Sequence, residues 1–348
     1  MQLRRCGRNG PLLSRIGLGT WAFGGGDYWG AQDQSDVDRV VRSALDLRIN
    51  YFDTAEMYNA GASETSLGHA LKGRRDEAVI GSKISPCHTR PDTLRERCEA
   101  SLRRLRTDRI DVYMVHWPIH RESIRHFTDD PSAIENPPST KEAFLTLADL
   151  QREGKIGHIG VSNFGVRQLR EVLDLGVTLA VNELPYNLLM RGIERELVPF
   201  CRENGIGIIG YMTLMQGLLA GDYESFDHVP AVRLRTRHFS GERELSRHGE
   251  PGIEDQSWRA IVEIRAIARD LERPVSDVAL AWALANPDVS CVLAGCRNQS
   301  QLEENVRAET LTLPPEAKSR LDAVTTEVLD LLGPNPDYYQ SMSATRSW

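Results

Sequence analysis

A chain of 348 residues, 41% hydrophobic and 26% charged, has the composition of an ordinary globular protein with ample material for a large core, which excludes a largely disordered chain. Its formal net charge of −7 gives no whole-molecule attraction to nucleic acid or to an anionic membrane, both of which reward clustered positive charge. No run approaches the roughly 18 apolar residues of a membrane span, and the opening MQLRRCGRNG lacks the apolar stretch of a secretory signal, so a cytoplasmic protein is expected.

In chain order, Leu3–Arg5 and Leu12–Ser14 flank Gly7-Arg8-Asn9-Gly10, a turn signal that predicts a small hairpin. Short apolar, β-branched runs then alternate with longer amphipathic segments. The predicted strands are Ile16–Thr20, Tyr51–Thr54, Ala78–Lys83, Ile110–His116, Ile156–Ser162, Ala180–Leu184, Gly207–Tyr211 and Ser290–Gly295. Predicted helices between them include Asp36–Leu47, Glu64–Leu71, Thr93–Leu105, Lys141–Gln151, Gln168–Leu175, Arg195–Arg202, Trp258–Leu271 and Val275–Ala285. Such units close into a (β/α)8 TIM barrel, here with an N-terminal hairpin across its floor. A doubly wound open sheet would offer a GxGxxG turn after its first strand, and none is present.

Two interruptions, Pro118–Ser139 and Asp222–Ile253, are too long for ordinary connections and predict long loops over the C-terminal face. Pro314–Leu332 reads as one extra C-terminal helix. The expected organisation is a single barrel domain over 1–332 and a tail over 333–348 lying on the surface. The six cysteines form no CxxC and no zinc-like pairing with histidine, so reduced thiols and no metal site are expected.

If the strand ends share one barrel mouth, Asp53, Lys83 and His116 converge there, with Tyr58 in the loop after Asp53. That set suits proton transfer. An unperturbed phenol titrates near ~10, and a neighbouring ammonium stabilises its phenolate, so Lys83 is expected to tune Tyr58 while Asp53 holds the lysine. His116 can hydrogen-bond a substrate oxygen. Only His116 among the histidines ends a predicted strand, which disfavours a metal-dependent hydrolase.

The stretch FDTAEMYNAGASETSLGHAL (Phe52–Leu71) resembles the signature of the aldo-keto reductase family. The likeness continues through IGSKI (Ile80–Ile84), VHWP (Val115–Pro118), GKIGHIGVSNF (Gly154–Phe164), PYNLL (Pro185–Leu189) and QGLLAGDY (Gln216–Tyr223). The resemblance implies that Asp53, Tyr58, Lys83 and His116 are a catalytic tetrad, with the tyrosine as general acid in carbonyl reduction. It further implies that Trp21, Tyr58, His116 and Trp117 line the substrate pocket. Thr20, Trp21, Ser162, Asn163, Glu183 and Tyr211 would hold the nicotinamide, Asp53, Leu214 and Gly217 would also bind the dinucleotide, and Gly295, Arg297, Gln301, Glu304 and Asn305 would hold its adenosine-phosphate end. An arginine near a helix N-terminus suits a 2′-phosphate, so NADP(H) is expected over NAD(H). The expected partner is a small carbonyl or alcohol compound: an aldehyde, ketone, sugar or polyol. A non-enzymatic NADP(H)-binding regulatory subunit of the same superfamily is the alternative.

Three features depart from the family pattern or exceed it. Glu183 stands where the family commonly has glutamine; a carboxylate accepts hydrogen bonds but donates none, so a rearranged nicotinamide grip is expected. Met212-Thr213 follows the stacking tyrosine where serine and proline are common. The segment Ala231–Gly249 carries five arginines against two glutamates, and Arg233, Arg235 or Arg237 is expected to cover the cofactor pyrophosphate.

Overall fold

The computed structural model describes residues 1–347. The hairpin forms as read: β1 (Leu3–Arg5) pairs antiparallel with β2 (Leu12–Ser14). Eight further strands follow: β3 (Ile16–Gly19), β4 (Tyr51–Asp53), β5 (Val79–Ile84), β6 (Ile110–Val115), β7 (Ile156–Ser162), β8 (Val181–Pro185), β9 (Gly207–Tyr211) and β10 (Val289–Gly295). All pair in parallel, and β10 pairs with both β9 and β3, which closes the barrel. Closure leaves no sheet edge, and helices cover the outside, so the strands are buried on both faces and read as apolar runs rather than alternating ones.

The hairpin seals the floor. Cys6 and Leu13 join Tyr51, Val112, Met114, Val181, Ile209 and Cys291 in one apolar cluster inside the lower barrel. Gly7, at φ +64°, makes the turn that allows this: a Cβ there would lie 2.4 Å from the Gly205 carbonyl oxygen. The floor is tight and apolar, so the polar rim residues lie at the opposite end.

Some of the surrounding helices start where short polar side chains cap them. Asp33 accepts from the Ser35 amide, Ser139 from Glu142 and Asn298 from Gln301, each satisfying a free backbone donor at a helix start. The segment 314–332 is two helices, Pro315–Val324 and Thr326–Leu332, rather than one. At the break, Thr325 donates its hydroxyl to the Leu321 carbonyl and accepts from Arg191.

Both long loops cover the mouth side. Pro118–Ser139 contains two short helical turns, Arg121–Ile124 and Pro131–Glu135, which proline content obscured in the sequence. Asp222–Ile253 has only 3-10 turns, yet Thr236, Arg237, His238, Phe239 and His248 in it are buried, so it is an integral cover and not a solvated run.

The tail corrects its expectation. Asn335, Asp337, Tyr338, Gln340, Arg346 and Ser347 are all buried. Asp337 receives Arg346 through two bonds of 2.7 and 2.8 Å, Tyr338 accepts at its hydroxyl from the Gly192 amide, and the Arg237 amide donates to the Tyr338 carbonyl. A sequence rich in Gly, Pro and Ser gives no apolar period, because its burial is made by polar groups satisfying one another. No helix among the described residues is long and apolar enough to cross a membrane.

Candidate active site

Strand register fixes the rim. Gly19 lies opposite Asp53, Asp53 opposite Gly81, Lys83 opposite Met114, Ser162 opposite Glu183, Pro185 opposite Tyr211, and Gly295 opposite Gly19. The C-terminal strand ends therefore place Asp53, Lys83, Ser162, Glu183 and Tyr211 around one ring, with His116 one residue past the end of β6. The four tetrad residues converge as expected.

Lys83 sits at the centre and is fully buried. Its Nζ lies 2.6 Å from both Asp53 oxygens, 3.1 Å from the Thr54 carbonyl oxygen, 3.3 Å from the Tyr58 hydroxyl and 3.2 Å from Glu183 Oε1. Burial drags an ammonium down, but the Asp53 carboxylate, 2.6 Å away through both oxygens, outweighs it and holds Lys83 above its usual range, hence charged. Tyr58 behaves otherwise than expected. Burial, helped by Asp53 and opposed by Lys83, pushes the phenol above its usual value, which favours the protonated hydroxyl at neutral pH.

Local backbone holds Tyr58 in place. Asn59 and Ala60 follow it at φ +51° and +53°, left-handed conformations costing roughly 1–2 kcal/mol in a side-chain-bearing residue. Asn59 compensates by donating through Nδ2 to the Trp21 and Phe23 carbonyls, both at 2.9 Å. The same two bonds fix Trp21, whose ring centroid lies 6.0 Å from that of Tyr58 and stacks at 4.7 Å on Tyr28.

His116 faces Tyr58 edge to face, with centroids 5.7 Å apart, and its Nδ1 is buried without a partner. Burial, then Lys83 and Arg346, keep the imidazole well below its usual range, so it is neutral and can donate a hydrogen bond but not act as an imidazolium. Its backbone carbonyl accepts from Asn163 Nδ2 at 3.1 Å. Asn163, at φ +66°, is a residue type that tolerates the left-handed region, and this turns its side chain inward to accept from the Tyr211 hydroxyl at 2.7 Å. Ser162 donates to the Glu183 carbonyl at 3.0 Å. Ser162, Asn163, Glu183 and Tyr211 thus form one connected wall.

Glu183 is buried beside Lys83 and Asp53. Burial first, and Asp53 second, push its carboxyl well above the usual range, which favours the neutral acid. In that form it would donate one hydrogen bond as well as accept.

Other expected ligand contacts divide. Thr20 is spent: its hydroxyl donates to the Asp53 carbonyl at 2.8 Å and lies 3.0 Å from Ser63 Oγ. Leu214 and Gly217 belong to a tight turn in which the Gly217 amide donates to the Leu214 carbonyl at 2.9 Å, with Gly217 at φ +101°. Trp117 is mostly covered, because the Arg346 guanidinium lies 3.6 Å from its ring centroid. Of the three loop arginines, Arg233 donates to Tyr223 and the Gln216 carbonyl, and Arg237 is buried against the tail. Arg235 packs between the Tyr28 and Tyr339 rings and makes no ion pair among the described residues.

In the segment expected to take the adenosine end, Gln301 accepts from the Arg297 amide, Asn305 donates to the Gly295 carbonyl, and Glu304 accepts from Ser300. Arg297 does more than the sequence implied. It donates from Nε to Gln32 Oε1 at 2.9 Å, from Nη1 to the Trp29 carbonyl at 2.7 Å and from Nη2 to the Ala31 carbonyl at 2.5 Å. Tyr28 meanwhile donates to Gln216 Oε1 at 3.0 Å. The loop from Trp21 to Gln32 is therefore strapped from the β9 side to the β10 side. The aromatic Tyr28-Trp29 pair in a glycine-rich run was the available signal for it; nothing local in sequence pointed to Asp337 and Arg346.

No group of three or more potential metal ligands occurs among the described residues. The six cysteines are free thiols.

Residues 15–326 match the family model described as the aldo/keto reductase family. The chain is 34% identical over 328 residues to the NADH-specific methylglyoxal reductase of Escherichia coli (strain K12), covering 86% of this chain and 91% of that protein. It is 30% identical over 341 residues to the aldo-keto reductase YhdN of Bacillus subtilis (strain 168), covering 93% and 94%. Among solved structures, the glycerol dehydrogenase of Gluconobacter oxydans superposes with a TM-score of 0.75 at 28% identity, over 96% of this chain and 97% of that one. An aldo/keto reductase from Klebsiella pneumoniae in complex with NADP and acetate gives a TM-score of 0.68 at 26% identity, over 96% and 97%. With the barrel, the converging rim and a family match over most of its length, the chain belongs to the aldo/keto reductases, a family of oxidoreductases that bind nicotinamide cofactors.

Proposed function

We propose that this protein reduces small polar carbonyl compounds with a nicotinamide cofactor, NADP(H) in preference to NAD(H), and that Tyr58 delivers the proton as general acid. The carrying observation is the half-buried Tyr58 hydroxyl 3.3 Å from Lys83 Nζ, which both Asp53 oxygens hold at 2.6 Å. The residues present fit such a cofactor. His116 Nδ1 and Glu183 Oε2 are buried polar atoms without partners, as a site that takes a polar ligand would have.

A bound reduced nicotinamide supplies the hydride. Ser162, Asn163 and Glu183 would hold its carboxamide, the Tyr211 ring its face, the turn through Leu214 and Gly217 its phosphates, and Arg297 with Gln301, Glu304 and Asn305 its adenosine end. Arg297 keeps two of its five N–H groups after serving the strap, enough for a charge-assisted contact with a 2′-phosphate. Neutral His116 orients the carbonyl oxygen by donating a hydrogen bond, Lys83 stabilises the phenolate left when Tyr58 gives up its proton, and Asp53 keeps Lys83 charged and in place. Trp21, Tyr28 and the Arg346-covered Trp117 exclude water around them.

Two relatives are named for acting on methylglyoxal and glycerol, so small oxygenated substrates head the panel. The test is steady-state oxidation of NADPH and NADH with methylglyoxal, simple aldehydes and sugars, beside the reverse reaction with glycerol. Turnover with several of these is expected. Tight NADPH binding without turnover on any of them would favour the non-enzymatic cofactor-binding reading instead.

A further inference from the structure

The buried cluster at the rim holds one cation and two acidic side chains. Lys83 Nζ, Asp53 and Glu183 have side-chain exposures of 0%, 4% and 3%. Asp53, at 2.6 Å through both oxygens, already neutralises the lysine. Were Glu183 also ionised, the cluster would carry a net negative charge with no counter-ion, and Glu183 Oε2 would be a buried carboxylate oxygen with no donor. A single proton removes both problems. Glu183 is the natural holder, because it meets Lys83 through one oxygen at 3.2 Å whereas Asp53 uses two shorter contacts.

The titratable groups facing Glu183 are Asp53 and Tyr51 from β4, Tyr58 from the following loop, Lys83 from β5, Tyr211 from β9 and Cys291 from β10. Burial, the largest influence on each phenol and on the thiol, keeps Tyr51, Tyr58, Tyr211 and Cys291 protonated, so none of them competes with Glu183 as the group that ionises first.

We propose that Glu183 is a positioning residue that carries a proton in the working enzyme, and that losing this proton disables Tyr58 by placing a second negative charge on Lys83. The proposal rests on the assignment of Tyr58 as the general acid. During reduction the carbonyl carbon takes a hydride, its π pair moves to the oxygen and forms the new O–H bond with the Tyr58 proton, and the pair of the broken Tyr58 O–H bond stays on the phenolate. With Glu183 neutral, the cluster passes from zero to one net negative charge in this step. With Glu183 ionised it passes from one to two, beside an ammonium already shared between two carboxylates, and the phenolate is correspondingly harder to form.

The experiment compares kcat for carbonyl reduction against pH in the wild type, Glu183→Gln and Tyr58→Phe, each profile normalised to its own maximum, with NADPH affinity followed by fluorescence quenching over the same range. The wild type is expected to lose kcat on an alkaline limb falling about tenfold per pH unit, the slope of one ionisation. In Glu183→Gln, which cannot ionise, that limb is expected to vanish or move up by at least about one pH unit. The wild-type NADPH affinity is expected to weaken across the same limb, and that of Glu183→Gln to stay level. An identical normalised limb in the two proteins would overturn the proposal. If Tyr58→Phe keeps its turnover, the general-acid reading fails; if Tyr58→Phe is inactive while the limb ignores position 183, only the role of Glu183 fails. Infrared difference spectra test the wild type directly and do not require a folded variant: a protonated-carboxyl band at neutral pH that disappears at alkaline pH is expected, and its absence at neutral pH would sink the idea.

Discussion

The rim of strand ends and the cover above it are built on different principles. On the rim, Asp53, Lys83 and Glu183 occupy positions set by parallel register to their neighbours, so their convergence follows from the barrel itself. In the cover, Arg297 holds carbonyls of a loop about 265 residues away in sequence, and Arg346 is locked to Asp337 and laid on Trp117. The first region is fixed by backbone pairing and the second by side chains tying loops together. The proposed chemistry therefore sits on rigid elements, while the proposed ligand contacts fall to segments that single substitutions can release.

Breaking the rim has the largest expected effect. Tyr58→Phe removes the proton donor and leaves the ring, so kcat should fall by about 10²- to 10⁴-fold, the usual worth of a positioned general acid, with NADPH affinity preserved in a binding titration. Unchanged kcat would remove Tyr58 from the mechanism.

Releasing the tail comes next. Asp337→Ala strands Arg346 as a buried, unpaired cation; such losses cost about 3–5 kcal/mol, which urea unfolding would register. Freed from Trp117, the tail should also become sensitive to protease near its end, and KM should rise more than kcat falls. If kcat fell as steeply as in Tyr58→Phe, rim and cover would not be separable in the way drawn above.

The smallest effect is expected at the strap. Arg297→Ala removes both the strap contacts and the proposed phosphate contact. The strap serves either cofactor equally, so only the phosphate contact can separate them: NADPH affinity should weaken about tenfold more than NADH affinity, equivalent to about 1.4 kcal/mol. Equal weakening would leave Arg297 as a loop clasp alone and remove the basis for preferring NADP(H).

Much of this was legible in the linear chain. The eight strands appear within a residue or two of their predicted bounds, because strands buried on both faces are continuous apolar runs between turn residues. The tetrad was legible because each member sits at or just beyond a strand end, where a barrel must gather it. Less legible were the charge states. Lys83 does favour the Tyr58 phenolate, but burial opposes it and wins, and the proton on Glu183 follows from two acids sharing one buried ammonium. The tail was misread for a similar reason: Asp337 and Arg346 look like surface charges until they are seen to satisfy each other in the interior.

The sequence by itself thus determined the barrel, the hairpin floor and the identity of the residues at the mouth, since hydrophobic period and strand-end position are properties of the chain. Only the tertiary structure decided which of those residues are charged and which loops enclose them. Those outcomes depend on distances between groups far apart in sequence and on the water excluded from between them, and no local pattern encodes either.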